Sequence, residues 1–159
     1  MKTSVKKILA IPIVRSNENA LLPSQKTGDV GFDVSSCDDI IVPAGETVKI
    51  NTGLRFADEI SMDEEFNVAF FKVEGRSGLA SKGVFPVGGI IDPSYRGDII
   101  VVLHNSSSND HVINVGDRIA QLVCYVALAS NMFASVNFVD ADEVNDTERG
   151  HRGFGSSGA

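Results

Sequence analysis

The chain lacks the features that mark several large protein classes. It has only two cysteines in 159 residues, Cys37 and Cys124, and no CxxC spacing, so neither a disulfide scaffold nor a zinc ribbon is written into it. Both read as reduced, partly buried thiols. There is no basic excess: the formal charge is −7, which argues against broad nucleic-acid binding. No apolar run is long enough for a transmembrane helix. The opening "MKTSVKKILAIPIVRS" mimics a signal peptide, but its run Ile8–Val14 is short, contains Pro12, meets Arg15 and has no A-x-A cleavage pattern. A first β-strand and a cytoplasmic location are the expectations. A sustained 3.6-residue apolar period is missing as well, which speaks against long helices.

What is present is an ordinary globular composition, 43% hydrophobic and 22% charged, at a length suited to one domain with a substantial core. The apolar stretches are short, β-branched and separated by turn residues: Ile8–Val14, Ile40–Val42, Thr47–Phe56, Phe66–Val73, Ile99–His104, Val112–Val115, Ile119–Ala127 and Val136–Val139. Such spacing predicts an all-β sandwich, jelly roll or small barrel. A short helix is expected over Ala57–Glu65 or Ser77–Lys82. Beyond Val139 the chain turns polar, acidic and then glycine-rich, so residues 1–139 read as a folded core and 140–159 as a tail.

Four internal stretches concentrate polar chemistry. "GDVGFDVSS" places Asp33 after a glycine turn at the entrance to a strand, where it acts either as a turn residue or as a carboxylate holding a hydrated metal. "GRSGLASKG" joins Arg76, Ser77 and Gly78 at an expected helix start, a place where backbone N–H groups and a guanidinium favour anions. "GGIIDPSYRG" reads as a β-hairpin carrying Asp92 at its edge among bulky apolar neighbours, with Tyr95 close by. In "GDRIAQLV", strict alternation puts Ile119, Gln121 and Val123 on one face, so Gln121 needs a hydrogen-bond partner there or contacts a ligand. The chain closes on "RGHRGFGSSG", which contains G-x-G-x-x-G with neither a strand before it nor a helix after it.

In this order the five stretches resemble the motifs of the homotrimeric dUTPase family, and the resemblance covers almost the whole chain. It implies an all-β, jelly-roll-like dUTPase fold with one short helix and a flexible C-terminal arm. It also implies hydrolysis of dUTP to dUMP and diphosphate with Mg2+, limiting uracil in DNA and supplying dUMP for dTMP synthesis. Three active sites would lie between the subunits of a homotrimer. Asp92 would orient the attacking water, with Tyr95 packing beneath the sugar. The backbone from Val87 to Ile91, including Gly88, Gly89 and Ile91, would read uracil. Arg76, Ser77, Gly78 and Gln121 would hold phosphates, and Asp33 would support Mg2+ through water, the ion resting mainly on the substrate phosphates. The arm would bring Arg149, Ser156 and Ser157 to the γ-phosphate and stack Phe154 on uracil, with Gly155 also among the substrate-binding residues.

Two departures accompany the resemblance: extra residues around Asp58–Glu65 and a shortened segment from Lys82 to Gly88. Two other functions share parts of this pattern, a dCTP deaminase-like enzyme of the same fold and a nucleotide-sensing protein that regulates a protein partner. The terminal glycine arm disfavours the first, and the full set of catalytic motifs disfavours the second. No direct nucleic-acid or membrane partner is expected.

Overall fold

A computed structural model describes residues 11–58 and 67–128 of the chain. Eleven strands and one helical turn follow in order: β1 (Ile13–Arg15), β2 (Phe32–Ser35), β3 (Ile40–Val42), β4 (Thr47–Asn51), β5 (Leu54–Phe56), β6 (Asn67–Glu74), α1 (Ser77–Ala80), β7 (Val84–Pro86), β8 (Ile90–Ile91), β9 (Ile100–Asn105), β10 (His111–Ile113) and β11 (Arg118–Leu128). They form a four-stranded sheet in the order β2-β11-β6-β8, a three-stranded sheet β4-β9-β7, and the pairs β1-β5 and β10-β3, with every ladder antiparallel. This is the expected all-β, jelly-roll-like architecture with one short helix. Among the described residues no helix is long and apolar enough to cross a membrane.

Alternation builds the core. On β9, Val101, Leu103 and Asn105 face inward while Ile100, Val102 and His104 are half-buried. Ile50, Leu54, Phe56, Phe71, Ile113 and Leu122 meet them from the other strands, and Phe56 stacks on Phe71 at 5.3 Å between ring centroids. Both thiols are free, Cys37 buried and Cys124 partly so, and burial raises the pKa of each.

The structure adjusts several sequence expectations. Thr47–Phe56 divides into β4 and β5 because Gly53 adopts φ +68° between them; a Cβ there would come within 2.8 Å of Asn17 Cβ and 2.9 Å of Ala20 Cβ. The stretch Gly88–Ile99 is not a self-paired hairpin. Instead β7 and β9 pair with each other, and the intervening chain sends β8 to the edge of the other sheet. Ala57 and Asp58 are not helical: the Ala57 N–H donates to Pro12 O at 2.9 Å, prolonging the β1–β5 pairing. The rest of the Ala57–Glu65 expectation, the strand at Val136–Val139, the boundary at 139/140 and the whole arm lie outside the described residues.

Among the described residues Asn105 is the one fully buried side-chain amide, and it is saturated. Its Nδ2 donates to Val42 O (2.9 Å) and Asn109 O (2.8 Å), while Oδ1 accepts from Ser107 N (3.0 Å) and Ser107 Oγ (2.7 Å). One side chain thus fixes the end of β3 and the Asn105–Asn109 turn. Asn105→Ala should lower the unfolding free energy by about 2–4 kcal/mol in urea denaturation, because it orphans several buried groups at once. A loss within 0.5 kcal/mol of zero would show that water replaces the amide, and would contradict this role.

Candidate active site

Asp33 on β2, Gln121 on β11 and Glu74 on β6 lie on one rung, as successive Cα partners across three strands. Their side chains therefore share the outward face of the four-stranded sheet. An irregularity in β11 produces this alignment. The ladder between β11 and β2 shifts register between Arg118 and Ala120, and the two residues that follow Arg118, Ile119 and Ala120, are both buried. Strict alternation would have put Gln121 with Ile119. The bulge turns it to the opposite face, beside Val123 and Tyr125, where its Nε2 donates to Gly75 O at 3.0 Å. Gly31 lies against its Oε1 so closely that an added Cβ would collide with it.

The Asp33 carboxylate joins two cations. Arg76 Nε donates to Oδ1 at 2.8 Å and Arg118 Nη1 to Oδ2 at 3.2 Å, while Arg76 Nη1 also reaches Arg118 O at 3.0 Å. Half-buried Asp33 and Arg76 thus fix each other's geometry more firmly than a solvated pair would. Arg118 received no role in the sequence reading; the bulge that returns it to Asp33 has no signature in "GDRIAQLV". Gly31 was likewise passed over, although a glycine two residues before Asp33 was the available signal.

Arg76 precedes α1, a single four-residue turn. The expected helix N-terminus is accordingly too short to supply a dipole. What it supplies is exposed Ser77 and Gly78, with the Leu79 and Ala80 N–H groups already bonded to Arg76 O. Beside this turn opens a polar cleft of about 300 Å3 lined by Arg76, Lys82, His111, Asp117 and Arg118. Another cleft of about 330 Å3, between Ile13, Leu22, Phe32, Phe56, Phe71 and Leu122, is apolar and holds none of these groups. Of the two, only the polar cleft carries cationic side chains suited to an anion.

Asp92 and Tyr95 stand elsewhere. β8 ends at Ile91, which is buried, and Asp92 turns out to solvent instead of lying among apolar neighbours. The Asp92 carbonyl accepts from Tyr95 N at 3.0 Å, closing a turn around Pro93. Gly88 (φ +75°) and Gly89 (φ +127°) lead into β8, and Gly89 O accepts from Val73 N at 2.8 Å. A Cβ on Gly89 would lie 2.7 Å from Val73 Cβ, so this backbone can approach β6 only without a side chain. Ile91 pairs with Phe71, whereas Arg76 lies further along the same direction; at about 3.3 Å per residue, roughly 15–20 Å separates the Asp92 turn from the Arg76 turn. Within one chain, then, Asp33, Arg76, Ser77 and Gln121 come together, and Asp92 and Tyr95 do not join them. Arg149, Phe154, Gly155, Ser156 and Ser157 lie outside the described residues.

Among the described residues no three His, Cys, Asp or Glu side chains cluster as a metal cage. Both Asp33 oxygens already accept from guanidiniums, yet the side chain stays 23% exposed, within reach of water. This donor set fits an ion carried by a polyphosphate and touched by Asp33 through water.

The described residues form an all-β domain whose sheet face gathers a carboxylate, two guanidiniums and an amide beside a glycine-flanked turn. The family model described as dUTPase matches residues 17–158. The deoxyuridine 5'-triphosphate nucleotidohydrolase of Nautilia profundicola is 36% identical over 154 residues, covering 94% of this chain and 99% of that protein. That of Paramecium bursaria Chlorella virus 1 is 34% identical over 143 residues, covering 89% and 92% respectively. In fold, the chain superposes on a solved Staphylococcus bacteriophage 80alpha dUTPase with a TM-score of 0.73, at 23% identity and with 94% and 99% coverage. The chain belongs to the dUTPase family.

Near Tyr95, Asp98 accepts from Arg55 Nε (2.7 Å), Arg55 Nη2 (3.2 Å) and Ser16 Oγ (3.1 Å). Arg55, then Ser16, hold its carboxyl below the usual value of 3.8. Because the folded-state value is the lower one, the stabilisation is complete above about pH 4 and is lost as pH falls through the lowered value. Asp98→Asn should therefore melt at a lower temperature than the wild type near neutral pH, with the gap closing in acid. A gap that does not change with pH would contradict the pairing.

Proposed function

We propose that this chain is a dUTP diphosphatase, hydrolysing dUTP to dUMP and diphosphate. The observation that carries the reading is the convergence of Asp33, Arg76 and Gln121 on one sheet face beside exposed Ser77, in a member of the dUTPase family. Guanidinium, hydroxyl and amide donors converge there as a triphosphate chain would require. Gln121 spends one N–H on Gly75 O and retains a second for a phosphate oxygen. Arg76 is held by Asp33 in a fixed orientation, and Gly78 leaves the backbone open to close approach. Asp33 would help hold Mg2+ through water, and the ion would supply charge neutralisation for the departing diphosphate.

Asp92 acts as the general base. Its carboxylate takes a proton from a water whose oxygen forms a bond to the α-phosphorus, while the bond from that phosphorus to the bridging oxygen breaks and diphosphate leaves. Tyr95 packs beneath the deoxyribose and leaves no room for a 2′-hydroxyl, and the backbone of Gly88, Gly89 and Ile91 meets the uracil edge.

The separation of the Asp92 turn from Arg76 supports a site shared between chains. One subunit offers Asp33, Arg76, Ser77 and Gln121, and another offers Asp92 and Tyr95, in a homotrimer. Exposed Ile90 and Tyr125 on the same sheet face give such an assembly apolar surface. Residues 140–159 form the arm. Its Asp140–Glu148 tether could span about 30 Å when extended, enough to bring Arg149, Phe154, Gly155, Ser156 and Ser157 over a neighbouring site as a lid.

Diphosphate release should be Mg2+-dependent and far faster with dUTP than with UTP, dCTP or dTTP; no preference for dUTP would overturn the assignment, and ammonia release from dCTP would replace it with a deaminase. Asp92→Asn should lower kcat by about 100-fold or more while nucleotide binding persists by calorimetry. Near-native turnover in that variant would remove Asp92 from the role. Deleting Arg149–Ala159 should cripple turnover while oligomer mass and melting temperature stay unchanged; full activity in the truncated protein would refute the lid.

A further inference from the structure

Tyr95 is the aromatic ring assigned to the sugar, and the structure shows what holds it. Its Oη donates to Asp98 O at 3.2 Å, so the ring folds back along its own turn and passes over Gly97. The fit there is tight. A Cβ on Gly97 would collide with Tyr95 Oη, lie 2.6 Å from Cζ and 3.1 Å from Cε2. Gly97 does not have a positive φ, so the backbone does not require glycine at this position; the ring does.

The residue that accepts the Tyr95 hydroxyl is itself fixed from two sides. Ile99 N donates to Leu54 O at 2.8 Å, and Thr52 Oγ1 donates to Ile99 O at 2.8 Å in the buried interior. On the outside, Asp98 receives the two-pronged Arg55 guanidinium and the Ser16 hydroxyl. A bidentate pair defines orientation as well as proximity, which a single contact between exposed groups does not. Ser16 is in turn anchored through its N–H to Gly53 O at 2.8 Å. A chain of contacts thus runs from the β1–β5 pair to the one ring that would lie under the sugar.

We propose that Gly97 and the Arg55–Asp98 ion pair form a specificity-determining seat for Tyr95, setting the ring height at which a deoxyribose fits and a ribose does not. The inference rests on the proposed sugar contact of Tyr95 and goes beyond it by naming positioning residues that touch neither substrate nor reacting atoms. Gly97 supplies the space and Asp98 the carbonyl. Arg55, from a different strand, keeps that carbonyl in place.

The test has two arms. In the first, kcat/KM is measured for dUTP and UTP in wild type, Gly97→Ala and Arg55→Gln. The dUTP:UTP selectivity should fall about tenfold in Gly97→Ala and about threefold in Arg55→Gln, with melting temperatures near wild type for Gly97→Ala. Unchanged selectivity in both folded variants overturns the seat. The second arm needs no nucleotide. The chain has two tyrosines and no tryptophan, so in a Tyr125→Phe background Tyr95 is the sole source of tyrosine emission. Acrylamide quenching of that emission should increase on adding Gly97→Ala, and unchanged quenching also overturns the seat. If quenching rises but the wild type does not prefer dUTP to UTP, the seat stands as a structural device and the assigned activity is what fails.

Discussion

The site face depends on how β11 enters the sheet. A single bulge after Arg118 turns two consecutive residues, Ile119 and Ala120, into the core and reverses the parity of everything that follows. Without it Gln121 would share the core face with Ile119, where an amide would be costly. With it, Gln121 joins Asp33 and Glu74 on a common rung, and Arg118 swings back to the same carboxylate that holds Arg76. One irregular hydrogen-bond ladder therefore sets the position of one amide and two guanidiniums. The core beneath is conventional: Val34, Val73, Ala120 and Leu122, chain neighbours of the rung residues, are all buried.

The second constraint is the division of polar chemistry between two ends of one sheet. β8 is the far edge strand, three strand spacings from β2, about 14 Å laterally, and its turn lies well along the strand axis from Arg76. No side-chain rotation closes such a gap. A chain with this topology either uses the two clusters for unrelated purposes or joins them by symmetry, each copy completing its neighbour. The exposed apolar side chains of Ile90 and Tyr125 on that face suit the second, which is the arrangement proposed above. In this reading oligomerisation makes the site as well as stabilising the fold.

Much of this was legible in the sequence, and the failures have physical causes. Ile40–Val42 was placed residue for residue, and Thr47–Phe56, Ile99–His104 and Ile119–Ala127 within a few residues, because short β-branched runs between turn residues leave little choice. The single turn at Ser77–Ala80 was legible from small residues behind a glycine. Alternation misled at Gln121, since a bulge is a property of pairing between strands and has no local signature. The Gly88–Ile99 stretch has the glycines and proline of a hairpin, but which ladder each half joins is decided by β6 and β9, both distant in sequence. Asp92 follows the same logic: its neighbours in sequence are apolar, but strand β8 ends before it and the turn points it outward. From the sequence Gly97 reads only as a turn residue and Arg55 carries no signal, because their role lies in contacts that no motif records.

The most direct measurement of the account is a crystal structure of the full chain with a non-hydrolysable dUTP analogue and Mg2+. The account predicts phosphate oxygens on Arg76, Ser77 and Gln121 of one subunit, with Asp92 and Tyr95 of another subunit at the α-phosphorus and the sugar. A nucleotide seated in the apolar cleft between Phe32, Phe56 and Phe71, or one bound entirely within a single chain without Arg76, would contradict it.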